Sequence, residues 1–321
     1  MSYISKHKYH VLLKYSSFLT AGNYYIDDNE RMFVHASSTD RPVIQDFHLN
    51  KEPVHINPDT SLFNGHILWF AADGGIKIFS NSEVLTFHKN HSRYSKKLSH
   101  YHYFSQYFNI PEILCFDDDS LKVTEKYIYF NASSGNYGAL LFQTILDDYL
   151  NYFQEMDDSA EWQTLNSLLK DSPNLDKKED YTDILNMIPP ELYDVEFPFI
   201  PLHGDLWRAN ILFEKDTNTM YYIDWDESSR YIFFYDFFKM MWNTLDVDGM
   251  KLYLDCYLTG GYDTQFEACF KLFNLDFNPG YRRAYFCLFF LNFILVDVTM
   301  TYDIKLEEIS SFKSKVLPYL Y

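Results

Sequence analysis

Residues 201–226 read Pro201-Leu-His203-Gly-Asp205-Leu-Trp-Arg-Ala-Asn210-Ile-Leu-Phe213, a polar turn over 214–219, and then Met220-Tyr-Tyr-Ile-Asp224-Trp-Asp226. Two apolar pieces, Ile211–Phe213 and Tyr221–Ile223, flank the turn, which predicts a β-hairpin. A hairpin folds the outer ends of its arms towards each other, so it would bring Asn210 and Asp224 together, with Asp205 in the loop leading in. Hard divalent cations such as Mg2+ take oxygen ligands of this kind, supplemented by phosphate oxygens and water. Phosphoryl transfer in turn needs positioning and charge neutralisation more than covalent help. On that logic Asp205 would accept or orient the proton of an attacking hydroxyl, and Asn210 and Asp224 would hold Mg2+ against nucleotide phosphates. Singly, each residue reads as an ordinary turn or strand-end residue. The weight lies in the joint spacing, H-x-D-x4-N and then I-D-W after a short hairpin.

The chain around this stretch has 321 residues, with 27 Lys+Arg against 45 Asp+Glu and a formal net charge of −18. Hydrophobic residues make up 47% and aromatics 19%, enough apolar surface to offset the ordering entropy of folding, so whole-chain disorder is excluded. With 11 Gly and 11 Pro, collagen-like and low-complexity readings fail as well. The acid excess argues against a nucleic-acid partner, which would require a basic face. Cys115, Cys256, Cys269 and Cys287 show no C-x-x-C spacing and read as reduced thiols of a cytoplasmic protein, with neither zinc site nor disulfide framework. The first residues carry no apolar core of the signal-peptide type. The apolar stretch Ala284–Met300 is interrupted at Asn292 and Asp297 and falls short of the roughly 20 residues a spanning helix needs. It is expected as a buried core helix, with no membrane span.

Upstream, residues 1–65 form a mixed leader of unassigned role with a strand-like Arg31–His35. From His66 the pattern sharpens. His66–Ala72 and Ile76–Ser80 read as strands around the turn Asp73-Gly74-Gly75, and Asn81-Ser82 forms a hairpin turn into Glu83–His88. A helix follows over 92–108, with aromatics at helical spacings, and then strands Pro111–Phe116 and Leu121–Glu125. After Ile128 the chain turns mostly helical, over 138–155, 161–169, 236–257 and 265–272, before the apolar helix near the C-terminus. Strands first and helices afterwards predict an α+β protein of two lobes: a β-rich lobe over 66–127 and a helical lobe over 128–321.

His203-Gly-Asp205-Leu-Trp-Arg-Ala-Asn210-Ile-Leu with Tyr222-Ile-Asp224-Trp-Asp226 resembles the aminoglycoside phosphotransferase and choline kinase superfamily of protein-kinase-like small-molecule kinases. The resemblance covers about residues 66–245. It implies a bilobal protein-kinase-like fold with a five-stranded antiparallel N-lobe and a mainly helical C-lobe holding the acceptor site. It implies Asp205 as catalytic base, Asn210 and Asp224 as metal ligands, His203 as a brace of the catalytic loop and Asp236 as an anchor of the following helix. It implies Mg2+ as cofactor and ATP or GTP as phosphate donor. By order along the chain, Gly74-Gly75 stands where a loop covers the phosphates. The hinge then follows Glu125, with Lys126, Tyr127 and Ile128 offering backbone groups to the base.

Two departures from the family pattern stand out. The third strand has Val84-Leu85-Thr86 where Val-Leu-Lys is expected, and His91–Phe108 contains no acidic residue to pair with such a lysine. If Asn81 and Ser82 form the turn, Lys77 falls directly opposite Thr86 and shares its face, so Lys77 would stand in for the missing lysine at the nucleotide. Lys77 as a solvated strand residue is the competing reading.

The expected activity is phosphorylation of a hydroxyl on a small molecule: an amino sugar, an amino alcohol or another sugar. The many acids and aromatics suit a cationic acceptor, though surface acids and core aromatics explain the same composition. The alternatives are a pseudokinase or nucleotide-binding regulatory module without turnover, motivated by the two departures, and a metallophosphoesterase. The latter lacks the further His and Asp motifs it would need.

Overall fold

The structure, a computed structural model, describes residues 6–27, 29–38, 48–49, 52–58, 60–130, 138–156, 159–171, 179–245, 252–296 and 300–320. The chain forms two compact units, Met1–Gly135 with Ile211–Asp226, and Asn136–Asn210 with Glu227–Tyr321. The first is β-rich and the second mainly helical, the expected α+β division.

The first unit is built on helix α1 (Lys6–Lys14) and strands β1 (Gly22–Ile26), β2 (Met32–His35), β3 (Val54–Ile56), β4 (Ile67–Phe70), β5 (Ile76–Phe79) and β6 (Glu83–Phe87). Helix α2 (His91–Phe104) and strands β7 (Ile113–Asp117) and β8 (Lys122–Lys126) complete it. The five expected strands are β4 to β8, but they sit in a sheet of eight, in the order β3-β1-β2-β4-β5-β6-β8-β7, antiparallel throughout. The expected count of five is thereby corrected. The leader supplies the other three strands, because β4 would otherwise be an open edge and β2 pairs with it from Met32–Trp69 to Val34–Ile67.

Alternation along the strands sorts the two faces. Ile76, Ile78 and Leu85 pack with Leu12 of α1, Leu19, Tyr24 and Phe33 in one core. Lys77 and Thr86 therefore belong to the opposite face, which carries Met32, Val34 and Ile67 with Trp69 and Phe79 beside them. The Asn81–Ser82 turn forms as expected: Ser80 N–H donates to Glu83 O at 2.9 Å, and Lys77 lies opposite Thr86.

The second unit opens with α3 (Gly138–Glu155) and then β9 (Glu161–Gln163), α4 (Leu165–Asp171) and α5 (Thr182–Leu185). The helix expected over 161–169 is thus a short strand followed by a helix. Strand β10 (Phe197–Leu202) leads into the loop that carries Asp205, and the chain returns to the first unit for the ribbon of β11 (Ile211–Phe213) and β12 (Met220–Tyr222). Next come β13 (Ser229–Ile232), α6 (Tyr235–Thr244), α7 (Leu252–Leu258), α8 (Asp263–Leu272), α9 (Arg282–Val296), α10 (Tyr302–Lys315) and α11 (Leu317–Leu320). Strands β13, β10 and β9 form an antiparallel sheet.

The single helix expected over 236–257 is divided between α6 and α7. Thr244 turns its hydroxyl back to Met240 O and Met241 O as α6 ends at the Leu245 cap. Helix α9 is buried from Ala284 to Leu295, as a core helix should be, while Asp297 lies outside the described residues. Among the described residues no helix is long and apolar enough to cross a membrane. Aromatics of α6, α8 and α9 form the core of this unit: Phe238 meets Phe266, Phe286 and Phe289 with ring centroids 5.2–5.8 Å apart. Core packing thus absorbs much of the aromatic content.

Candidate active site

The loop carrying Asp205 belongs to the second unit. Strand β10 ends at Leu202, and His203 and Gly204, both buried, turn the chain under the first turn of α6. There Asp236, wholly buried, accepts three hydrogen bonds. The N–H of His203 and the Tyr149 hydroxyl donate to Oδ2, both at 2.7 Å, and the N–H of Gly204 donates to Oδ1 at 2.9 Å. Burial pushes the Asp236 carboxyl up, and the charge of His203 with these hydrogen bonds opposes the rise. Asp236 lies in the first turn of α6, where the helix dipole favours a negative charge. Gly204 has φ +82°, and a Cβ there would lie 2.3 Å from Glu227 O and 2.8 Å from the Tyr231 ring, so no other residue fits this turn.

That anchoring fixes the remainder of the loop. The N–H of Asp205 donates to His203 Nδ1 at 3.3 Å, so the loop bonds both to Asp236 and to the His203 ring. Asn210, buried, donates from Nδ2 to the Asp205 main-chain oxygen at 2.8 Å and approaches Asp205 Oδ2 at 3.4 Å. The Asp205 side chain is 38% exposed, a carboxylate presented outwards from a loop whose neighbours are tied down.

Sequence reasoning missed two residues here. Helix α6 carries Asp236, Lys239 and Asn243 at i, i+3 and i+7, one face of a helix. Asn243 Nδ2 lies 3.4 Å from Asp205 Oδ1, and Lys239 Nζ lies 3.9 Å from the same oxygen. The Lys239 side chain is only 10% exposed, and its ammonium sits 4.0 Å above the Phe293 ring. The signal was available: a lysine inside the otherwise apolar Phe237–Trp242 needs a partner if it is buried.

The ribbon and Asp224 belong to the first unit. The pair Ile211–Tyr222 closes the β11–β12 register, so along the chain Asn210 comes directly before one end of the ribbon and Asp224 two residues after the other. The ribbon is fastened by Tyr222 N–H to Asn109 O at 2.9 Å and by Lys215 N–H to Tyr129 O at 2.7 Å. Asp224 has φ +65°, a left-handed conformation that breaks the strand and that aspartate tolerates better than most residues. Lys77 Nζ stands 3.9 Å from Asp224 Oδ1, the two side chains 36% and 45% exposed. So exposed a pair contributes little stability. Its meaning is positional, since Lys77 reaches the carboxylate from the strand next to the missing third-strand lysine.

The other nucleotide residues expected from chain order are differently engaged. In the turn Ala71–Gly75, Gly74 N–H donates to Ala71 O at 3.0 Å and Gly75 N–H to Asp73 Oδ1 at 2.8 Å. Both glycine donors serve the turn itself, and Gly74 uses φ +87° to make it. At the expected hinge, Lys126 N–H donates to Glu112 O and Tyr127 N–H to Ser82 O, each at 2.8 Å, while Ile128 is buried. The Glu125 carboxylate meets Lys97 Nζ at 2.7 Å. The acid-free helix α2 therefore does form an ion pair, with the cation on the helix and the acid on β8, the reverse of the polarity in the family pattern.

Asp205 and Asn210 on the loop of the second unit, and Asp224 beyond the ribbon of the first, each carry a side-chain oxygen, the donor type a hard cation such as Mg2+ takes. Asn210 donates its amide N–H groups to Asp205, an arrangement that leaves its amide oxygen for such a cation.

The sequence profile of the phosphotransferase enzyme family (APH) matches residues 143–264, over a third of the chain, including the catalytic loop, the ribbon and α6. The resemblance read from the motifs is the one this profile finds. No curated protein sequence matches. Among solved structures, a thermostable mutant of aminoglycoside phosphotransferase APH(4)-Ia, in ternary complex with ADP and hygromycin B, is similar at 13% identity. That likeness spans 78% of this chain and 93% of that one, at a TM-score of 0.48. A choline/ethanolamine kinase family protein from Mesorhizobium loti is similar at 11% identity over 77% of this chain and 87% of that one, TM-score 0.45. The amicoumacin kinase hAmiN, in complex with AMP-PNP, Ca2+ and Ami, is similar at 11% identity over 98% of this chain and 97% of that one, TM-score 0.44.

Proposed function

We propose that the chain is a nucleotide-dependent small-molecule kinase, transferring the terminal phosphoryl group of ATP or GTP to a hydroxyl. The observation that carries this reading is the state of Asp205: an outward-facing carboxylate on a loop whose backbone is fixed by a buried aspartate. A carboxylate so held takes the proton of an alcohol as the alcohol oxygen attacks phosphorus, and returns it to solvent after transfer. Asn210 and Asp224 would hold Mg2+, which when bound neutralises charge on the phosphates. Lys77, beside Asp224, would add a cation on the phosphate side. Lys239 and Asn243 at Oδ1 of Asp205, and Asn210 at Oδ2, would orient the carboxylate for the acceptor. The acceptor belongs to the class of amino sugars, amino alcohols and other sugars.

The test is nucleotide turnover with Mg2+ across a panel of amino sugars, choline-like amines and neutral sugars, comparing wild type with Asp205→Asn. A positioned base contributes about 10²–10⁴ in rate, so kcat should fall by at least a hundredfold while nucleotide binding persists. Acceptor-dependent turnover unaffected by Asp205→Asn would end the proposal. A second reading, a nucleotide-binding module without turnover, draws on the Ala71–Gly75 turn, whose glycine donors are already engaged, and on Thr86 in place of lysine. Binding with no turnover on the whole panel would favour it.

A further inference from the structure

Helix α2 touches the segment after Asp224 with one stripe of its surface. Lys96, His100 and Phe104 follow one another at i, i+4 and i+8, a single helical face. Lys96 Nζ donates to Asp226 O at 2.5 Å, and His100 Nδ1 lies 2.8 Å from Trp225 O. The Phe104 ring stacks on Trp225 with centroids 4.1 Å apart and planes at 26°. Trp225 itself is buried and directs its indole N–H to Tyr222 O at 3.4 Å. The short turn carrying Asp224 is thus gripped by one helix through two main-chain oxygens and one ring.

What holds α2 itself in place is Lys97, next to that stripe. Its ammonium meets Glu125 Oε1 at 2.7 Å, with the two side chains 14% and 12% exposed. Burial acts to lower the Lys97 pKa, but Glu125, with Asp226 and Asp224 adding to it, carries the value above its ordinary level, so the ammonium stays charged. A buried pair of this kind adds little net stability over apolar side chains of equal size, yet removing one partner strands a buried charge. Its use is geometric. Glu125 stands opposite Val84 in the sheet, at a fixed register position, and Lys97 ties the helix to it.

We propose that Lys97 and Glu125 are positioning residues that pin α2 to β8 and, through Lys96, His100 and Phe104, fix the Trp225–Asp226 turn and so the carboxylate of Asp224. The mechanical part stands on these contacts alone. That the fixed carboxylate serves a divalent cation rests on the phosphotransferase reading above.

The experiment uses the full-length chain in four forms: wild type, Lys97→Glu, Glu125→Lys and the charge-swapped double variant. Two quantities are read: amide hydrogen exchange of the peptide over residues 222–230, and the affinity for Mn2+ with a non-hydrolysable ATP analogue. Each single variant should speed exchange in that peptide by tenfold or more and weaken Mn2+–nucleotide binding by a similar factor. The double variant should return both to within threefold of wild type. Singles that leave exchange over 222–230 unchanged would overturn the proposal, as would a double variant that regains thermal stability but not slow exchange. Should the swapped chain not fold, the apolar pair Lys97→Met with Glu125→Leu takes its place. It should keep its melting temperature while the 222–230 exchange quickens, and unchanged exchange there refutes the lock. If exchange responds as expected but wild type binds no Mn2+–nucleotide, the positioning inference holds and the phosphotransferase reading falls.

Discussion

Replacing Asp236 is the sharpest perturbation of the His203–Asn210 loop that leaves Asp205 itself in place. Asp236→Ala would leave three buried donors without their acceptor: the N–H groups of His203 and Gly204 and the Tyr149 hydroxyl. A buried donor left unpaired costs about 1–3 kcal/mol, and losing the buried charge gives part of this back, for a net loss of about 3–4 kcal/mol. Against the 5–15 kcal/mol typical of domains, that is a large share. Asp236→Asn keeps an acceptor for His203 N–H and Tyr149 but turns an amide N–H against that of Gly204, and should cost about 1–2 kcal/mol. Tyr149→Phe supplies the control: alone it removes a hydrogen bond to the carboxylate, at a cost of about 1 kcal/mol, whereas in Asp236→Ala it removes an orphaned hydroxyl and should cost nothing. Urea unfolding followed by circular dichroism measures all four. Equal losses for Ala and Asn, or the same Tyr149→Phe cost in both backgrounds, would refute the account. The same group sets a pH signature. Burial raises its folded-state pKa above the unfolded value, so the folded chain keeps the proton longer. Stability from this group is therefore greatest at acid pH and declines as pH climbs from the ordinary carboxyl value of about 4 through the raised one. Asp236→Asn should remove that decline.

Lys239→Met takes away the ammonium 3.9 Å from Asp205 Oδ1. It should lower kcat by about tenfold with little change in nucleotide KM, and Lys239→Arg should recover part of it. Steady-state kinetics with the acceptor found in the panel decides it, and a change confined to KM counts against a role at Asp205. Among the thiols, Cys115 is exposed while Cys269 and Cys287 are buried and have their pKa pushed up by that burial. A maleimide should label Cys115 in the native protein and reach Cys269 and Cys287 only after unfolding, as mass spectrometry of the peptides would show.

The parts of the molecule legible in the sequence were those written locally. Strands β4 to β6 alternate cleanly, and the Asn81–Ser82 turn fixes their register so firmly that Lys77 opposite Thr86 follows by counting. The H-x-D-x4-N spacing and the ribbon place Asp205, Asn210 and Asp224 on a loop and at ribbon ends. What could not be read lay in long-range pairing. Strand β3 has three residues and, among the described residues, its strand partner is β1, more than 25 residues earlier in the chain, so the local pattern gives little sign of it. Strand β10 contains Pro198 and Pro201, which argue against a strand between two partners, yet it pairs with β9 and β13. The Lys97–Glu125 pair was hidden for a different reason: the family pattern puts the acid on the helix, and here the charges are exchanged between helix and strand.

Three lysines give this electrostatics its logic. In a chain with a net charge of −18, a polyphosphate meets repulsion almost everywhere, and local inversion of that charge has to come from a few cations. Lys77 faces Asp224, Lys97 faces Glu125 and Lys239 faces Asp205, so each stands within 4 Å of a carboxylate that sequence reasoning assigned to the site. Their exposure divides their work. At 14% and 10%, Lys97 and Lys239 are too enclosed to serve as freely moving counter-ions and instead fix the carboxylates they face. On the kinase reading, Lys77, at 36%, would be able to leave Asp224 for a phosphate oxygen once a cation took its place at that carboxylate. The missing third-strand lysine is therefore not a simple loss. On the kinase reading proposed above, its two duties, contacting phosphate and locking the helix, would be divided between Lys77 on the neighbouring strand and Lys97 on the helix itself.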